Sequence, residues 1–235
     1  MPPVPGLASA PGALRYWERR QEVMAHNLAN ASTDGFKGER VFARLLGANG
    51  EGGPAVQTAT DLRAGTIRTT GAPLDVALEN DAFLVVQTPN GERFGRGGAL
   101  ALDPQRRLVD AAGNPVLGEK GPIVLPQGAS IAIDAAGRIA VDGRPVATLR
   151  VERAGPGATL AHEGGTLLVP DAGRRAVPAA ERRVRQGAVE ESNVNPISAM
   201  VDMIAVQRAY ASVQKAIVTM DEVRGTAASQ LGKPV

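Results

Sequence analysis

The side chains able to do chemistry in this sequence are few and badly placed for it. His26 and His162 are its two histidines, far apart and without a Cys or carboxylate at ligand spacing, so neither reads as a metal ligand. Ser192 and Ser198 lack the flanking glycines of a nucleophile elbow. Glu190-Glu191 offers two carboxylates, but neighbours in a strand or helix diverge, and the pair reads as a solvated face and not as an acid and base. Asp110-Ala111-Ala112-Gly113 recurs as Asp134-Ala135-Ala136-Gly137. One Asp per loop supplies too few oxygens for calcium, whereas Asp first and Gly fourth suits a type I turn. Gly47-Ala48-Asn49-Gly50-Glu51-Gly52-Gly53-Pro54 is glycine-rich but lacks the Gly-Lys-Ser/Thr ending of a phosphate loop and reads as a solvated, flexible loop. No catalytic set, cofactor or metal site emerges.

Composition narrows the classes further. Basic residues number 26 and acidic residues 24, a net charge of +2 that gives no nucleic-acid footprint. There are no cysteines, which removes disulfides and thiolate metal sites. Hydrophobic residues make up 43%, enough for a core, yet only 3% of the chain is aromatic, a balance suited to close helix packing. No apolar run is long enough to span a membrane, and Met1 to Gly6 has no basic flank followed by an apolar stretch, so neither membrane insertion nor a cleaved signal peptide is expected.

The elements follow from periodicity. Prolines 2, 3, 5 and 11 keep the start extended, and a helix is predicted from near Ala13. Leu14, Trp17, Met24, Leu28 and Ala31 sit at heptad a/d spacing with Gln21 the one polar member, and Asp34-Gly35 stops the helix. At the other end Asn195 can cap a helix that Pro196 begins. Ala199, Met203, Val206, Tyr210, Val213, Ile217 and Met220 then alternate at four- and three-residue steps, and Ile197, Val201 and Ile204 widen that stripe over its first half. Between the two ends the period shifts to two, with short apolar runs such as Val76–Leu78, Phe83–Val86, Ile131–Ile133, Ile139–Val141 and Val146–Val151. Asp142-Gly143 marks a two-residue hairpin.

These patterns predict an α+β chain. Long N- and C-terminal helices form a coiled-coil-like inner domain, and a central all-β domain holds many short antiparallel strands. The expected divisions are an N-terminal helical assembly segment over 1–36, a flexible connector over 37–72, the β-domain over 73–186 and a C-terminal helical assembly segment over 187–235. Burial along one stripe does not offset the entropy of ordering a whole helix, so each terminal helix needs a partner. Spacing alone leaves two arrangements open: both helices packed on the β-domain of a monomer, or packed on each other and on further copies.

Asn27-Leu28-Ala29-Asn30-Ala31-Ser32-Thr33-Asp34-Gly35-Phe36-Lys37 resembles the N-terminal signature of the bacterial flagellar basal-body rod family. Glu191-Ser192-Asn193-Val194-Asn195 with Met203-Ile204 and Gln207-Arg208-Ala209-Tyr210 is similar to that family's C-terminal signature. Thr70-Gly71, Leu74 to Leu78 and Phe83 resemble the opening of its β-domain. The chain departs from the pattern at His26, where Asn is usual, and at Asn80 and Ala82, where glycines are usual. Length favours a mid-sized rod protein. Asn195-Pro196, Ala199-Met200 and Asp202-Met203-Ile204 are closer to the proximal type, Gln207 to Tyr210 to the distal, and the reading favours the proximal.

The resemblance implies a structural, non-enzymatic subunit, exported through the flagellar type III apparatus without a cleaved signal. The resemblance implies further that the subunit polymerises with copies of itself and other rod proteins into a periplasm-crossing tube. It also implies an assembly interface of Leu14, Trp17, Met24, Asn27, Leu28, Asn30, Ala31, Met203, Val206, Tyr210, Val213, Ile217 and Met220. Asn27 and Asn30, three apart on one helical face, are expected to hydrogen-bond across helices and fix their register. Competing readings are an exported β-fold hydrolase and a monomeric binding module.

Overall fold

The computed structural model describes residues 10–45, 54–171 and 173–231. The chain forms two compact units. Unit 1 gathers the residues up to Ala29, Glu39–Ala59 and Pro196 onward, while unit 2 comprises Asn30–Gly38 and Thr60–Asn195.

Unit 1 holds both long helices, α1 (Ala10–Ala29) and α2 (Pro196–Leu231), and the strand pair Glu39–Leu45 and Pro54–Thr60. α1 starts earlier than the prolines predict. Pro11 lies in the first helical turn, where a missing N–H costs nothing and a fixed φ favours the helix. It also ends earlier, at Ala29. Turns follow, with Thr33 N–H on the Asn30 carbonyl at 3.1 Å and Phe36 N–H on that of Thr33 at 3.2 Å, and Gly35 takes φ +74°. α2 begins at Pro196, as its sequence signal requires. The stretch expected as a connector over 37–72 carries ordered strands at Glu39–Leu45, Pro54–Thr60 and Ile67–Thr69. The glycine-rich residues 47–53, the prolines at 2, 3 and 5 and the tail 233–235 lie outside the described residues.

Unit 2 is built from short antiparallel strands. Its largest sheet has six, in the spatial order Leu160–His162, Leu168–Pro170, Gly91–Gly95, Phe83–Thr88, Val151–Ala154 and Arg174–Ala176. The central strand Phe83–Thr88 feeds two cores by its alternation. Leu84 and Val86 join the larger cluster with Leu78, Ile123, Ile139 and Leu149, whereas Phe83 and Val85 join Phe94, Leu117, Leu160 and Leu168. Phe83 and Phe94 stack with ring centroids 5.2 Å apart.

A three-stranded sheet orders Val184–Gln186, Asp75–Leu78 and Gly97–Ala99, and Ala188–Glu190 pairs with Ile67–Thr69. The meander Ile131–Ile133, Arg138–Val141 and Arg144–Thr148 turns at Asp142-Gly143, both with positive φ (49° and 75°), as the hairpin signal requires. The run Val146–Val151 is not one strand. It splits at Leu149-Arg150, because its first half belongs to the meander and Val151–Ala154 to the six-stranded sheet.

Candidate assembly site

In unit 1, α1 and α2 pack on one another. On α2, Ala199 and Val206 are buried, Met203, Tyr210, Val213 and Ile217 are half-buried, and Met220 is exposed. On α1, Leu14, Trp17, Met24 and Leu28 are half-buried, while the most buried residues are Tyr16, Val23 and Asn27. The sequence reading missed Tyr16 and Val23, although Tyr16/Val23 and Arg20/Asn27 repeat at seven residues and form a second stripe. Trp17 meets the edge of Tyr16 at 5.3 Å, with the Arg20 guanidinium 5.4 Å from its ring centre. The Tyr210 hydroxyl reaches the Glu18 carboxylate at 3.2 Å.

Two polar expectations need correction. Ala31 and Asn30 lie beyond the end of α1, in unit 2, so Asn27 and Asn30 share no helical face. Asn27 does not reach across helices: its amide N–H donates to the Glu39 carbonyl at 2.8 Å and its oxygen accepts the Glu39 N–H at 2.9 Å. The helix is thereby tied to the strand that follows it. His26 stands beside the Glu39 carboxylate at 3.5 Å.

The second face of α2 is the larger surprise. Ile197, Met200, Val201 and Ile204 occupy i, i+3, i+4 and i+7, yet all are between 50% and 73% exposed. They do not widen the Val206 stripe; helical rotation sets them on the opposite side. Further along α2, Val218, Met220 and Val223 are also exposed, as is Phe42 of the first strand.

In unit 2 the two terminal signatures come together. Lys37, Arg96 and Glu190 are 2%, 3% and 1% exposed. Glu190 accepts from Lys37 Nζ at 2.6 Å, Arg96 Nε at 2.7 Å and the Gly65 N–H at 2.8 Å. Lys37 also donates to the Arg63 carbonyl at 2.7 Å. The rest of the Arg96 guanidinium is spent on the carbonyls of Leu78, Asn80 and Ala82. That explains how the turn at Asn80–Ala82 closes without a left-handed residue: it wraps a guanidinium.

Burial lowers the Lys37 pKa below the ordinary lysine value, against the upward pull of its hydrogen bond and charge pairing with Glu190. Gly65 is obligatory, since a Cβ there would fall 1.9 Å from the Glu191 carbonyl oxygen. Asn193 accepts the Gly38 N–H at 2.8 Å and donates to the carbonyls of Asp61 and Arg63 at 2.7 and 3.0 Å. Arg68 bridges Asp34 at 3.3 Å and Glu191 at 3.0 Å.

Glu190 overturns the solvated-face reading of Glu190-Glu191: only Glu191 is at the surface. The available signal was its place directly after Ala188 and Val189 in a strand buried at all three positions. Asp110 and Asp134 form turns, their carboxylates accepting backbone N–H groups at 2.8–3.0 Å. His162 lies against the Phe36 ring at 5.2 Å. Among the described residues no cluster of His, Cys, Asp and Glu could hold a metal ion, and no helix is long and apolar enough to cross a membrane.

The sequence matches known proteins both in pieces and over nearly its whole length. Residues 7–37 match the family described as Flagella basal body rod protein, residues 77–141 the Flagellar hook protein FlgE/F/G D1 domain, and residues 185–231 the Flagellar basal body rod FlgEFG protein C-terminal. The chain is 36% identical to the flagellar basal-body rod protein FlgF of Escherichia coli (strain K12), over 94% of this chain and 96% of that protein. To FlgF of Caulobacter vibrioides it is 30% identical over 92% and 93%. To the flagellar basal-body rod protein FlgG of Borreliella burgdorferi it is 31% identical over 88% and 91%. With both terminal signatures meeting beside one buried cluster and relatives matching over nearly their full length, the chain belongs to the flagellar basal-body rod protein family, as a FlgF-like structural subunit and not an enzyme.

Proposed function

We propose that this subunit builds the rod through its two terminal helices, with 1–36 and 187–235 as assembly segments and 73–186 as a β-domain set apart from that role. Leu14, Trp17, Met24, Leu28, Met203, Val206, Tyr210, Val213 and Ile217 line a coiled-coil-like seam within the subunit. Ile197, Met200, Val201 and Ile204 meet other copies or neighbouring rod proteins, and Met220, exposed at the far end of the seam stripe, extends the assembly interface. The observation that carries this reading is the exposed apolar row Ile197, Met200, Val201 and Ile204 on α2, which lies on the face turned away from α1. A contact that repeats without closing on itself generates a helical filament, and a periplasm-crossing tube is such an object. Delivery by the flagellar type III apparatus, without a cleaved signal, and a proximal position in the rod complete the proposal.

The test is a paired substitution, Val201→Ser with Ile204→Asp, in the full chain. Its expected result is loss of swimming and absence of the subunit from isolated basal bodies, with the circular dichroism of the purified chain unchanged. Normal incorporation of that variant would remove the α2 face from the interface. Crosslinking within basal bodies then reads the position: neighbours from the distal rod alone would place the subunit elsewhere than proposed.

A further inference from the structure

One buried cluster in unit 2 sets two cations against a single carboxylate. Lys37 and Arg96 are both buried, and among the described residues Glu190 is the one carboxylate within ion-pair distance of either. The two cations precede their shared anion by 153 and 94 residues. The segment that brings Glu190 in also supplies the last strands of two sheets. Val184–Gln186 pairs with Asp75–Leu78, and Ala188–Glu190 pairs with Ile67–Thr69. Its other groups fasten remote stretches of the same unit. The Gln186 amide accepts the Ile133 N–H at 3.0 Å and donates to the carbonyls of Ile131 and Pro73 at 2.8 and 2.7 Å. The Glu190 carbonyl accepts the Gly35 N–H at 2.6 Å, and Asn193 pins Gly38, Asp61 and Arg63.

We propose that residues 184–193 are the closing segment of unit 2 and that Glu190 is its latch, so that the unit stays open until this segment docks. The reasoning is electrostatic. A buried cation without its counter-charge costs far more than a lost surface pair, and a unit lacking Glu190 would have to bury two. With the segment undocked, the strands Asp75–Leu78 and Ile67–Thr69 each also lack a neighbour. Any process that delivers the chain from its N-terminus, synthesis included, presents Lys37 and Arg96 before Glu190. Unit 2 therefore remains threadable until almost all of it has emerged. The device concerns unit 2 alone and does not rest on assembly through the helices.

Native-state hydrogen exchange on the full chain tests it. The amides of Ile67–Thr69, Asp75–Leu78 and Val184–Glu190 are expected to exchange through one common opening, with protection equal within about threefold. Exchange of the Val184–Glu190 amides more than about tenfold ahead of Asp75–Leu78 would overturn the latch, because the unit would then stay closed without its segment.

Two variants separate charge from mere bonding. Glu190→Gln leaves two buried cations with no carboxylate at ion-pair distance, whereas Lys37→Met leaves the neutral Arg96–Glu190 pair. Glu190→Gln is expected to speed exchange at Asp75–Leu78 by about a hundredfold or more, and Lys37→Met by clearly less. Equal effects, or a larger one from Lys37→Met, would sink the charge argument. A Glu190→Gln chain that fails to close while Lys37→Met closes is the expected result at its limit. The measurement on the unaltered chain decides if neither variant folds.

Discussion

Asn27 spends both halves of its amide on the backbone of a single residue, accepting from the N–H of Glu39 and donating to its carbonyl. A short polar side chain thus does the work of one strand-pairing step, and it does so while buried. Removing it leaves a backbone donor and acceptor of Glu39 unsatisfied, at a cost of about 1–3 kcal/mol. Asn27→Ala should lower the stability of the helical signal in denaturant titrations by that amount. Asn27→Asp should cost at least as much, because a carboxylate oxygen would then face the Glu39 carbonyl. An unchanged midpoint for Asn27→Ala would show that the contact carries no stability. The same residue marks a limit of reading by pattern. A polar residue beside an apolar stripe signals a register-fixing role, but only folding reveals that its partner is the next strand and not the other helix.

Three turns of unit 2 repeat one construction. Asp103, Asp110 and Asp134 each accept the N–H of the residue four places on, at 2.7, 2.8 and 2.9 Å, and the residue three places on is left-handed. Gly113 and Gly137 fill that place in two of them; Arg106, with φ 60°, fills it in the third. The non-glycine conformation costs roughly 1–2 kcal/mol. Two guanidinium bonds, to the carbonyls of Leu125 at 2.8 Å and Pro126 at 2.6 Å, offset it. Arg106→Gly exchanges strain relief for lost bonds and should move stability by less than about 1 kcal/mol. Arg106→Ala loses the bonds and keeps the strain, and should cost about 1–2 kcal/mol more than Arg106→Gly in urea unfolding. Both variants lose the guanidinium bonds, so a reversed order would mean that the left-handed backbone at position 106 carries no strain.

The paired Asp-Ala-Ala-Gly motifs made two of these turns legible in the sequence; the third was hidden because Arg stands where Gly announces a turn. Strands were legible where short apolar runs stand between turn residues, as at Phe83–Val86 and Ile131–Ile133. They were not where charge dominates: Arg174–Ala176 is exposed at all three positions, and Val184–Gln186 buries only Val184. The α2 stripe was legible as a packing surface. That its Ile197–Ile204 flank faces outward was not, since periodicity gives angles around a helix but does not say which side finds a partner.

At the scale of the whole molecule, near neutrality conceals a pairing of charges that acid should undo. The balance of 26 basic against 24 acidic residues is made largely of carboxylates held by arginines and backbone N–H groups. The Glu92 pKa is lowered by its hydrogen bond from Arg150, with Arg174 adding to the effect against desolvation. The Ser130 N–H lowers that of Asp142, and Asn90 and Arg93 lower that of Glu163. At Asp103 and Asp134, burial is the largest single influence and would raise the pKa. The combined hydrogen bonds of Arg107 and Arg138 outweigh it, and both end lowered.

A carboxylate whose folded pKa lies below its unfolded value binds fewer protons in the folded state. Its contribution is complete above the unfolded value and is lost as pH falls through the folded one. All five groups belong to unit 2, so its melting temperature should be flat from neutrality to about pH 5 and fall steeply below about pH 4. Protonation would also strip the arginines of their partners, adding repulsion that salt should partly screen. Glu92→Gln, which cannot titrate, should flatten the acid limb while lowering the neutral-pH plateau. A melting temperature held constant down to about pH 3 would mean that these pairs contribute no net stability and that apolar burial alone holds the β-rich unit closed.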